Sequence, residues 1–352
     1  MTRLNQQWIL KKRPVGNIQN SDLELREFEL PELEEGQTLI KTLYIAMDPA
    51  TRGWISDGGY MEPLPLNTPV LGVIIGEVID SRNERIAVGT FVAGVGEWGK
   101  YMVAGPQQIS FDRTGEAGTL APMDTSSGHE LPMYLHALGT SGGTAWYGLM
   151  EVAAMQAGDR VLVSGAAGSC GSLVCQFARL NGASKVVGIA GGADKCAELV
   201  DLFGCDASID YRATDNLSAA IAAEFPEGLD VYFDNVGGPT LEAAMDNLAK
   251  DARIAICGMI SQYNATDPAP GPGNMWNLLV NTARVQGFLV SDYFGTPGCE
   301  RAYTRIEEWL SAGELNARLD IRDDFAHIVD VYNLLFSGGN RGRLVVKVPH
   351  DN

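Results

Sequence analysis

A glycine-rich segment at residues 165–171, Gly-Ala-Ala-Gly-Ser-Cys-Gly, constrains the fold of this chain more than any other feature. It follows the apolar run 160–163 and opens a helical pattern, so the spacing predicts a tight turn from a strand into a helix. Its core reads Ala-x-Gly-x-x-Gly, with Ala166 at the first glycine position. Gly168 would let the backbone approach a pyrophosphate, and Gly171 would let the helix pack closely on its strand. The segment predicts a dinucleotide site at a helix N-terminus, where free N–H groups favour phosphate; a tight turn without a ligand is the alternative.

The second half of the chain alternates strand and helix patterns. Strand-like runs occupy residues 160–164, 185–190, 207–210, 229–235, 253–257 and 285–290. Helical patterns lie between them, for example at 194–203 and 239–250, and a further helix is expected at 300–312. Strict alternation favours an α/β fold with a doubly wound parallel sheet, because parallel neighbours need crossover connections.

The first 136 residues follow a different sequence pattern. Short strand-like runs at 37–44, 72–79 and 90–94 are separated by Gly and Pro. This spacing predicts a small β-barrel or sandwich. The polar stretch 113–131 is predicted to be an irregular connector. A strand-like tail at 342–348 could rejoin the N-terminal barrel. We therefore expect two domains, residues 1–136 with 317–352 and residues 137–316.

Charge and cysteine content narrow the class of protein. The net charge is −18, which argues against nucleic acid or an anionic membrane as a partner. The six cysteines all lie between positions 170 and 299 and form no Cys-x-x-Cys pair, as is typical of a reducing compartment. No apolar run reaches the roughly 18 residues that a membrane helix needs. These features predict a cytoplasmic protein.

The end of the second predicted strand indicates which dinucleotide is bound. NAD-binding folds of this type place a carboxylate there to bind the ribose 2′-hydroxyl, but this strand ends in Ala190-Gly191-Gly192. Lys195 follows three residues later, and Tyr211 lies at the end of the next strand. An uncharged tip beside a lysine favours the 2′-phosphate of NADP. Asp194 argues against NADP, because it places a carboxylate next to Lys195. The alternative interpretation of Lys195 is that it is only a solvated residue of the helix.

Several motifs together resemble the medium-chain dehydrogenase/reductase superfamily, and more narrowly its zinc-free alkenal/one reductase branch. The matching stretches are Leu43-Tyr44 with Met47-Asp48-Pro49 and Arg52; Leu138-Gly139 with Thr144-Ala145; Ala166-Ala167-Gly168 with Gly171; Phe233-Asp234-Asn235-Val236-Gly237-Gly238; Cys257-Gly258-Met259-Ile260-Ser261-Gln262-Tyr263-Asn264; and the tail at 340–348. The resemblance implies a GroES-like β-barrel catalytic domain, a Rossmann NADP-binding domain and a homodimer.

The same resemblance implies a set of site residues. The pyrophosphate would lie at Ala166, Gly168, Ser169, Cys170 and Gly171, and the adenosine 2′-phosphate at Lys195 and Tyr211. The nicotinamide half would be lined by Asn235, Cys257, Gly258, Ser261, Tyr263, Phe288, Leu289, Val290 and Asn340. Two departures from the family pattern lie where substrate should approach: Gly139-Thr140-Ser141-Gly142 stands for the common Gly-Met-Pro-Gly, and Ala50-Thr51 for Tyr-Met.

The sequence predicts no zinc site. Zinc alcohol dehydrogenases of this superfamily carry Gly-His-Glu after the strand entry, where this chain has Val73, and no cysteine precedes Cys170. Catalytic zinc needs about three protein ligands. Gly128-His129-Glu130 lies in the predicted connector and is interpreted as chance. His136 and His327 have no partners at a recognisable spacing.

Without a metal, reduction of a C=C bond beside a carbonyl is easier than reduction of an isolated ketone, because the charge spreads into an enolate that neutral donors can stabilise. Tyr263, Tyr60 and Tyr44 are the candidate donors, with Tyr263 as the main one; packing aromatics are the alternative, and a ribose hydroxyl or water could supply the proton. The leading hypothesis is an NADPH-dependent reductase of α,β-unsaturated aldehydes or ketones. A quinone reductase, a non-catalytic NADPH-binding protein and a zinc alcohol dehydrogenase are the rivals, in that order.

Overall fold

A computed structural model describes residues 3–56, 59–110, 120–267 and 269–350. The chain divides into two compact units, residues 1–135 with 319–352 (the first unit) and residues 136–318 (the second unit). The strands are β1 (Leu4–Leu10), β2 (Leu23–Glu29), β3 (Thr38–Ala46), β4 (Leu71–Ser81), β5 (Phe91–Glu97), β6 (Tyr101–Ala104), β7 (Leu120–Pro122), β8 (Arg160–Val163), β9 (Lys185–Ala190), β10 (Ala207–Asp210), β11 (Leu229–Asp234), β12 (Leu248–Ile256), β13 (Arg284–Gly287), β14 (Leu319–Arg322) and β15 (Arg343–Lys347).

The helices of the described residues fall mainly in the second unit. They are α1 (Ala50–Trp54), α2 (Thr140–Trp146), α3 (Ser169–Leu180), α4 (Ala193–Asp201), α5 (Leu217–Glu224), α6 (Gly238–Met245), α7 (Trp276–Val280), α8 (Pro297–Ser311) and α9 (Ile328–Ser337). A π-helical turn at Tyr147–Val152 follows α2, and short 3₁₀ turns lie at Pro106–Gln108, Leu131–Leu135, Val290–Asp292 and Phe325–His327. None of the helices in these ranges is both long and apolar enough to cross a membrane.

The second unit is built on a parallel sheet with the strand order β10-β9-β8-β11-β12-β13. Val161, Leu162 and Val163 of the central β8 are fully buried, as expected of a strand covered by helices on both faces. The chain runs outward from β8 to β10 and then resumes on the other side at β11. The predicted doubly wound sheet is confirmed, and its topological switch point lies between β8 and β11, where ligands bind in such folds.

Two predicted elements in this unit were wrong in their extent. The helix predicted for 239–250 ends at Met245, and β12 already begins at Leu248, which pairs with Leu229. Tertiary packing overrides the local helix propensity there, because Leu248 and Ala249 are buried in the sheet. The strand predicted for 285–290 ends at Gly287. Phe288 leaves the strand and packs in the core against Phe233 and Tyr147.

The first unit contains a mixed sheet in the order β14-β15-β3-β4-β5-β7, with β6 paired to β3, and a separate hairpin of β1 and β2. The C-terminal strand β15 pairs antiparallel with β3, so the tail joins the sheet of the N-terminal segment. The connector predicted for 113–131 contains strand β7, which pairs with β5. That part of the prediction was wrong because Leu120 is fully buried in the core; residues 111–119 lie outside the described ranges.

Glu97, the last residue of β5, makes the stability of the protein depend on pH. Burial raises the pKa of its carboxyl from 4.5 to about 7, against the opposing effect of the hydrogen bond donated by Gln7. The native state therefore holds a proton that the unfolded chain releases, and stability falls as the pH rises from about 4.5 through about 7. We expect Glu97→Gln to raise the Tm at pH 8 by roughly 2–4 °C and to change it little at pH 5. Thermal melts at both pH values test this, with the exposed Glu84→Gln as control; an equal rise at both would contradict it.

Candidate functional site

The turn after β8 has the geometry that its small residues predict. Gly165 has a positive φ of 57°, and a Cβ at Gly171 would lie 2.4 Å from the Gly165 carbonyl oxygen. The N–H of Ala166 donates to the Ile189 carbonyl at 3.0 Å, which fastens the turn to β9. Gly168 is the N-cap of α3, so no capping side chain covers the first N–H groups of that helix. A helix N-terminus of this kind binds phosphate groups.

A buried carboxylate organises the adjoining turn after β11. Asp234 is fully buried and accepts hydrogen bonds from the Ser164 hydroxyl at 2.8 Å and the Tyr232 hydroxyl at 2.7 Å. It also accepts from the N–H groups of Val236 and Gly237 at 3.0 Å each. Burial and the charge of Asp234 raise the pKa of the Tyr232 hydroxyl well above its ordinary value, so this tyrosine stays a donor. The turn at the switch point is thereby held rigidly.

Asn235 joins the two turns. Its N–H donates to the Ser164 hydroxyl at 2.9 Å, and its side-chain amide donates to the Ser164 carbonyl at 2.7 Å. A Cβ at Gly165 would lie 3.3 Å from Asn235 Cβ, so a larger side chain at position 165 would press on the amide. The sequence-predicted residues at positions 166–171 and Asn235 therefore lie together at the carboxyl edge of the sheet.

The segment after β12 brings further predicted residues to this edge. The N–H groups of Cys257 and Gly258 donate to the Asp234 carbonyl at 2.8 and 3.1 Å. The Cys257 thiol is hydrogen-bonded to the thiol of Cys170, the second residue of α3, and this contact together with burial raises the pKa of Cys257. The hydroxyl of Ser261 donates to the Val236 carbonyl at 2.6 Å. The hydrogen bond of the Ser261 hydroxyl is thus made to the backbone of the neighbouring turn.

Tyr263 is held with its hydroxyl against the same segment. Tyr263 Oη accepts a hydrogen bond from the Met259 N–H at 3.1 Å, and a Cβ at Gly258 would lie 3.0 Å from it. Burial, the largest cause, raises the pKa of the hydroxyl above its ordinary value of 10.0. The phenol therefore keeps its proton at neutral pH and can donate to a developing negative charge.

The tips of β9 and β10 carry the polar groups predicted for the adenosine end. Tyr211 and Arg212 both lie against Gly191, where an added Cβ would be 2.8 Å from each side chain. The Arg212 guanidinium lies 5.7 Å from the centre of the Tyr211 ring. Lys195 is the half-buried third residue of α4, and Asp194 before it is exposed.

Arg212 is a candidate that the sequence reasoning missed. The sequence feature that could have identified Arg212 is its position immediately after Tyr211, at the tip of a strand. The Asp210 carboxylate accepts from the N–H groups of Gly192 and Arg212 at 2.9 Å each, which lowers the pKa of Asp210 and ties the two tips together.

Three of the remaining predicted residues follow the end of β13 at the same edge of the sheet, and the others lie in the first unit. In the second unit Phe288 packs in the core, while the side chain of Leu289 is 40% exposed and Val290 begins a 3₁₀ turn. In the first unit the residues are Tyr44 on β3, Tyr60 packed edge-on against Trp54, and Asn340, whose side chain donates to the Gly342 carbonyl at 3.2 Å. Residues 57 and 58, part of the predicted glycine-rich loop before Tyr60, lie outside the described ranges.

The residues at the carboxyl edge suit a dinucleotide. The bare N-terminus of α3 and the close approach allowed at Gly168 fit a pyrophosphate, and the cationic Arg212 lies two strands away. Metal ligands are a different matter. Within the described ranges, no three His, Cys, Asp or Glu side chains lie close enough together to hold a metal ion.

Comparisons with known proteins identify the family. Residues 6–111 match the model of the N-terminal domain of oxidoreductases, and residues 170–308 match the model named zinc-binding dehydrogenase. The chain is 37% identical to YfmJ of Bacillus subtilis, named as an NADP-dependent oxidoreductase, over 99% of each chain. It is 30% identical to the NADPH-dependent curcumin reductase of Escherichia coli, over 99% of this chain and 98% of that one.

Two further likenesses cover almost the full length. The chain is 33% identical to the NADP(+)-dependent 2-alkenal reductase of Nicotiana tabacum, over 99% of this chain and 98% of that protein. The crystal structure of Vibrio vulnificus CurA in complex with NADPH superposes with a TM-score of 0.89 at 30% identity, covering 98% of this chain and 100% of that one. The chain therefore belongs to the medium-chain dehydrogenase/reductase superfamily, in its alkenal/one reductase branch.

Proposed function

We propose that this protein reduces the C=C bond of α,β-unsaturated aldehydes or ketones with NADPH. As a member of this family it is an NADP-dependent oxidoreductase with NADP(H) as its cofactor. The observation that carries the finer proposal is Tyr263, a neutral donor kept protonated by burial at the carboxyl edge of the sheet beside the switch point. The relatives named for curcumin and 2-alkenal reduction support the same substrate class.

The proposed roles follow from the positions of the residues. Ser169, Cys170 and the N–H groups of the first turn of α3 would hold the pyrophosphate, with Lys195, Tyr211 and Arg212 at the 2′-phosphate. Asn235, Cys257, Gly258 and Ser261 would line the nicotinamide half; we also retain Phe288, Leu289, Val290 and Asn340 as proposed lining residues. The domain roles remain part of the proposal, a catalytic domain at residues 1–136 with 317–352 and a nucleotide domain at residues 137–316.

The chemistry proposed for the protein's own residues is donation of hydrogen bonds to the enolate, whose α-carbon then takes a proton from Tyr263, a cofactor ribose hydroxyl or water. NADPH, when bound, supplies a hydride to the β-carbon of the substrate. Tyr263 would donate a hydrogen bond from Oη to the carbonyl oxygen, where the enolate charge collects. Such preorganised donors cost no reorganisation during the reaction. Tyr44 and Tyr60 are proposed as additional substrate contacts.

Oxidation of NADPH, followed by absorbance with a panel of substrates, tests this function. The panel is a 2-alkenal, a cyclic enone, a benzoquinone and a saturated ketone, each also measured with NADH. Turnover of the alkenal or enone, with NADPH preferred, is the expected result. Activity with the quinone alone would favour the quinone reductase. Tight NADPH binding without turnover of any of the four would favour the non-catalytic alternative.

The phosphate at the adenosine end gives a separate prediction. We expect Lys195→Ala and Arg212→Ala each to lower the ratio of NADPH affinity to NADH affinity by about tenfold or more, because each loses a charge-assisted hydrogen bond. Fluorescence titration with both cofactors measures the ratio. Arg179→Ala, which removes a surface cation paired with Asp206, is the control. An unchanged ratio in both variants would leave Lys195 and Arg212 as solvated surface residues.

We also propose a homodimer formed through the outer edge of β13. This strand is last in the sheet order, and all four of its residues are exposed. Exposed apolar side chains flank it, with Trp276 69% and Leu279 64% exposed on α7. An open edge beside an apolar patch is a template for a second strand, and a two-fold axis would pair β13 antiparallel with its copy.

The dimer is tested by light scattering after gel filtration. A charged residue would be desolvated at the centre of this interface, so Trp276→Asp and Leu279→Asp are expected to convert the dimer to a monomer. Val15→Asp, at an exposed apolar residue of the first unit, should leave the mass unchanged. A wild-type monomer at micromolar concentration would exclude this interface.

A further inference from the structure

Three polar side chains of the second unit form a hydrogen-bonded group, which we name the His136 cluster: His136, Ser141 and Ser169. The Ser169 hydroxyl donates to the Ser141 hydroxyl at 2.7 Å. His136 Nδ1 lies 3.2 Å from the same Ser169 oxygen. Since a hydroxyl has a single proton, Ser169 Oγ then accepts from Nδ1–H of His136. No spacing in the sequence indicated this partner of His136, because Ser169 lies 33 positions away along the chain.

Two members of the cluster are buried, and the cluster joins the starts of two helices. His136 is fully buried, and Ser141 is 3% exposed. Ser141 is the second residue of α2, and Ser169 is the first residue of α3. The His136 carbonyl also accepts from the Gly139 and Gly142 N–H groups at 3.2 and 3.0 Å. The backbone carbonyl of His136 is thus hydrogen-bonded to the start of α2, and its ring is hydrogen-bonded to the start of α3.

The neighbourhood leaves the start of α2 little freedom to move. A Cβ at Gly142 would lie 1.8 Å from the Ala137 carbonyl oxygen. The Tyr303 hydroxyl donates to the Gly139 carbonyl at 2.9 Å. Ser141 stands where the family pattern commonly has proline, which could not make this side-chain hydrogen bond.

We propose that His136 and Ser141 are positioning residues that fix Ser169, and with it the first turn of α3, for the pyrophosphate of the cofactor. This rests on the proposed function, in which that turn holds the pyrophosphate. An ordered serine at the first position of α3 presents its N–H in a fixed direction, because its side chain is anchored on two buried partners. Support of this kind keeps a binding site preorganised, so that less ordering is needed when the ligand binds.

The position of the cluster predicts a selective effect on ligands. It touches the start of α3 and is separate from Lys195, Tyr211 and Arg212 at the adenosine end. Loss of the cluster should weaken ligands that contain the pyrophosphate and spare a ligand that contains only the adenosine 2′-phosphate. A general loss of structure would weaken both.

The experiment compares the affinities of NADPH and 2′-AMP in Ser141→Ala, Ser169→Ala and His136→Asn, with Tm measured for each. We expect NADPH to bind about tenfold more weakly, which corresponds to about 1.4 kcal/mol, with the affinity for 2′-AMP little changed. Ser169→Thr keeps the hydroxyl and should restore most of the NADPH affinity. Ser184→Ala removes a hydroxyl bonded to the Gly158 carbonyl in a loop outside the cluster and serves as control.

The outcomes separate the two proposals. Wild-type protein that binds neither NADPH nor 2′-AMP would overturn the proposed function and this inference with it. Wild-type protein that binds NADPH, with Ser141→Ala and Ser169→Ala binding it equally well, would overturn the positioning role alone. A parallel loss of both affinities together with a lowered Tm in all variants would show a purely structural role and would also overturn it. If His136→Asn fails to fold, Ser141→Ala decides the question, because Ser141 is not itself assigned to the pyrophosphate.

Discussion

Tyr263→Phe is expected to lower kcat for an enone by about 10²–10⁴-fold, the usual contribution of acid–base catalysis. The change removes only the hydroxyl oxygen, which accepts the Met259 N–H and would donate to the enolate. Burial raises the pKa of this hydroxyl, so the wild-type enzyme should keep its donor up to at least pH 9, and the variant should lose activity equally across that range. Steady-state kinetics from pH 6 to pH 9 measure both effects.

The control for this prediction is Tyr134→Phe, which removes a hydroxyl bonded to Ser127 in the first unit at 2.8 Å. It should leave kcat unchanged. Turnover of Tyr263→Phe within about twofold of wild type would rule the tyrosine out as the main donor, and a cofactor ribose hydroxyl or water would take its place.

The second large effect is expected on stability, from Arg343→Met. Arg343 is 2% exposed and forms a bidentate ion pair with Asp48, one of whose bonds, from Nη2 to Oδ2, is 3.0 Å long. Tyr332 also donates to the Asp48 carbonyl at 3.0 Å. Removing Arg343 leaves the Asp48 carboxylate, whose side chain is 24% exposed, without its counter-ion, so we expect a cost towards the lower end of the roughly 3–5 kcal/mol of a buried pair. We expect a loss of this size in the free energy of unfolding of the first unit, measured by urea denaturation.

Lys11→Met is the matched control, because it breaks an exposed pair with Glu24 in the same unit. Exposed pairs contribute about 0–1 kcal/mol, so this change should be nearly neutral. Arg343→Met and Asp48→Asn should also be strongly non-additive, since each already breaks the same pair. If the effect of Arg343→Met were as small as that of Lys11→Met, the ion pair would contribute nothing specific to this fold.

Parts of the site could be predicted because their chemistry is local. The turn at residues 165–171 needs small residues within a few positions of one another, and a positive φ at Gly165 and the close approach at Gly171 are consequences of that local geometry. The alternation of strands and helices likewise predicts a parallel sheet, since crossovers require it.

Other parts depended on residues far apart in the chain. Arg212 reaches the tip of β9 only because β10 lies beside it. The Cys170–Cys257 contact and the His136 cluster each join segments separated by more than thirty positions. Phe288 was predicted to continue a strand, but its side chain packs in the core against Phe233.

The fold class, the dinucleotide turn and the family follow from the sequence, because they depend on periodicity and on short motifs whose residues act on their neighbours. Which polar groups have hydrogen-bond partners, and which partners those are, depends on the folded structure. Asp234 is a structural acceptor for two turns, Asp48 is the counter-ion of a C-terminal arginine, and His136 is the anchor of a helix start. The physical reason is that burial and hydrogen-bond partners depend on packing between distant segments, which no local pattern specifies.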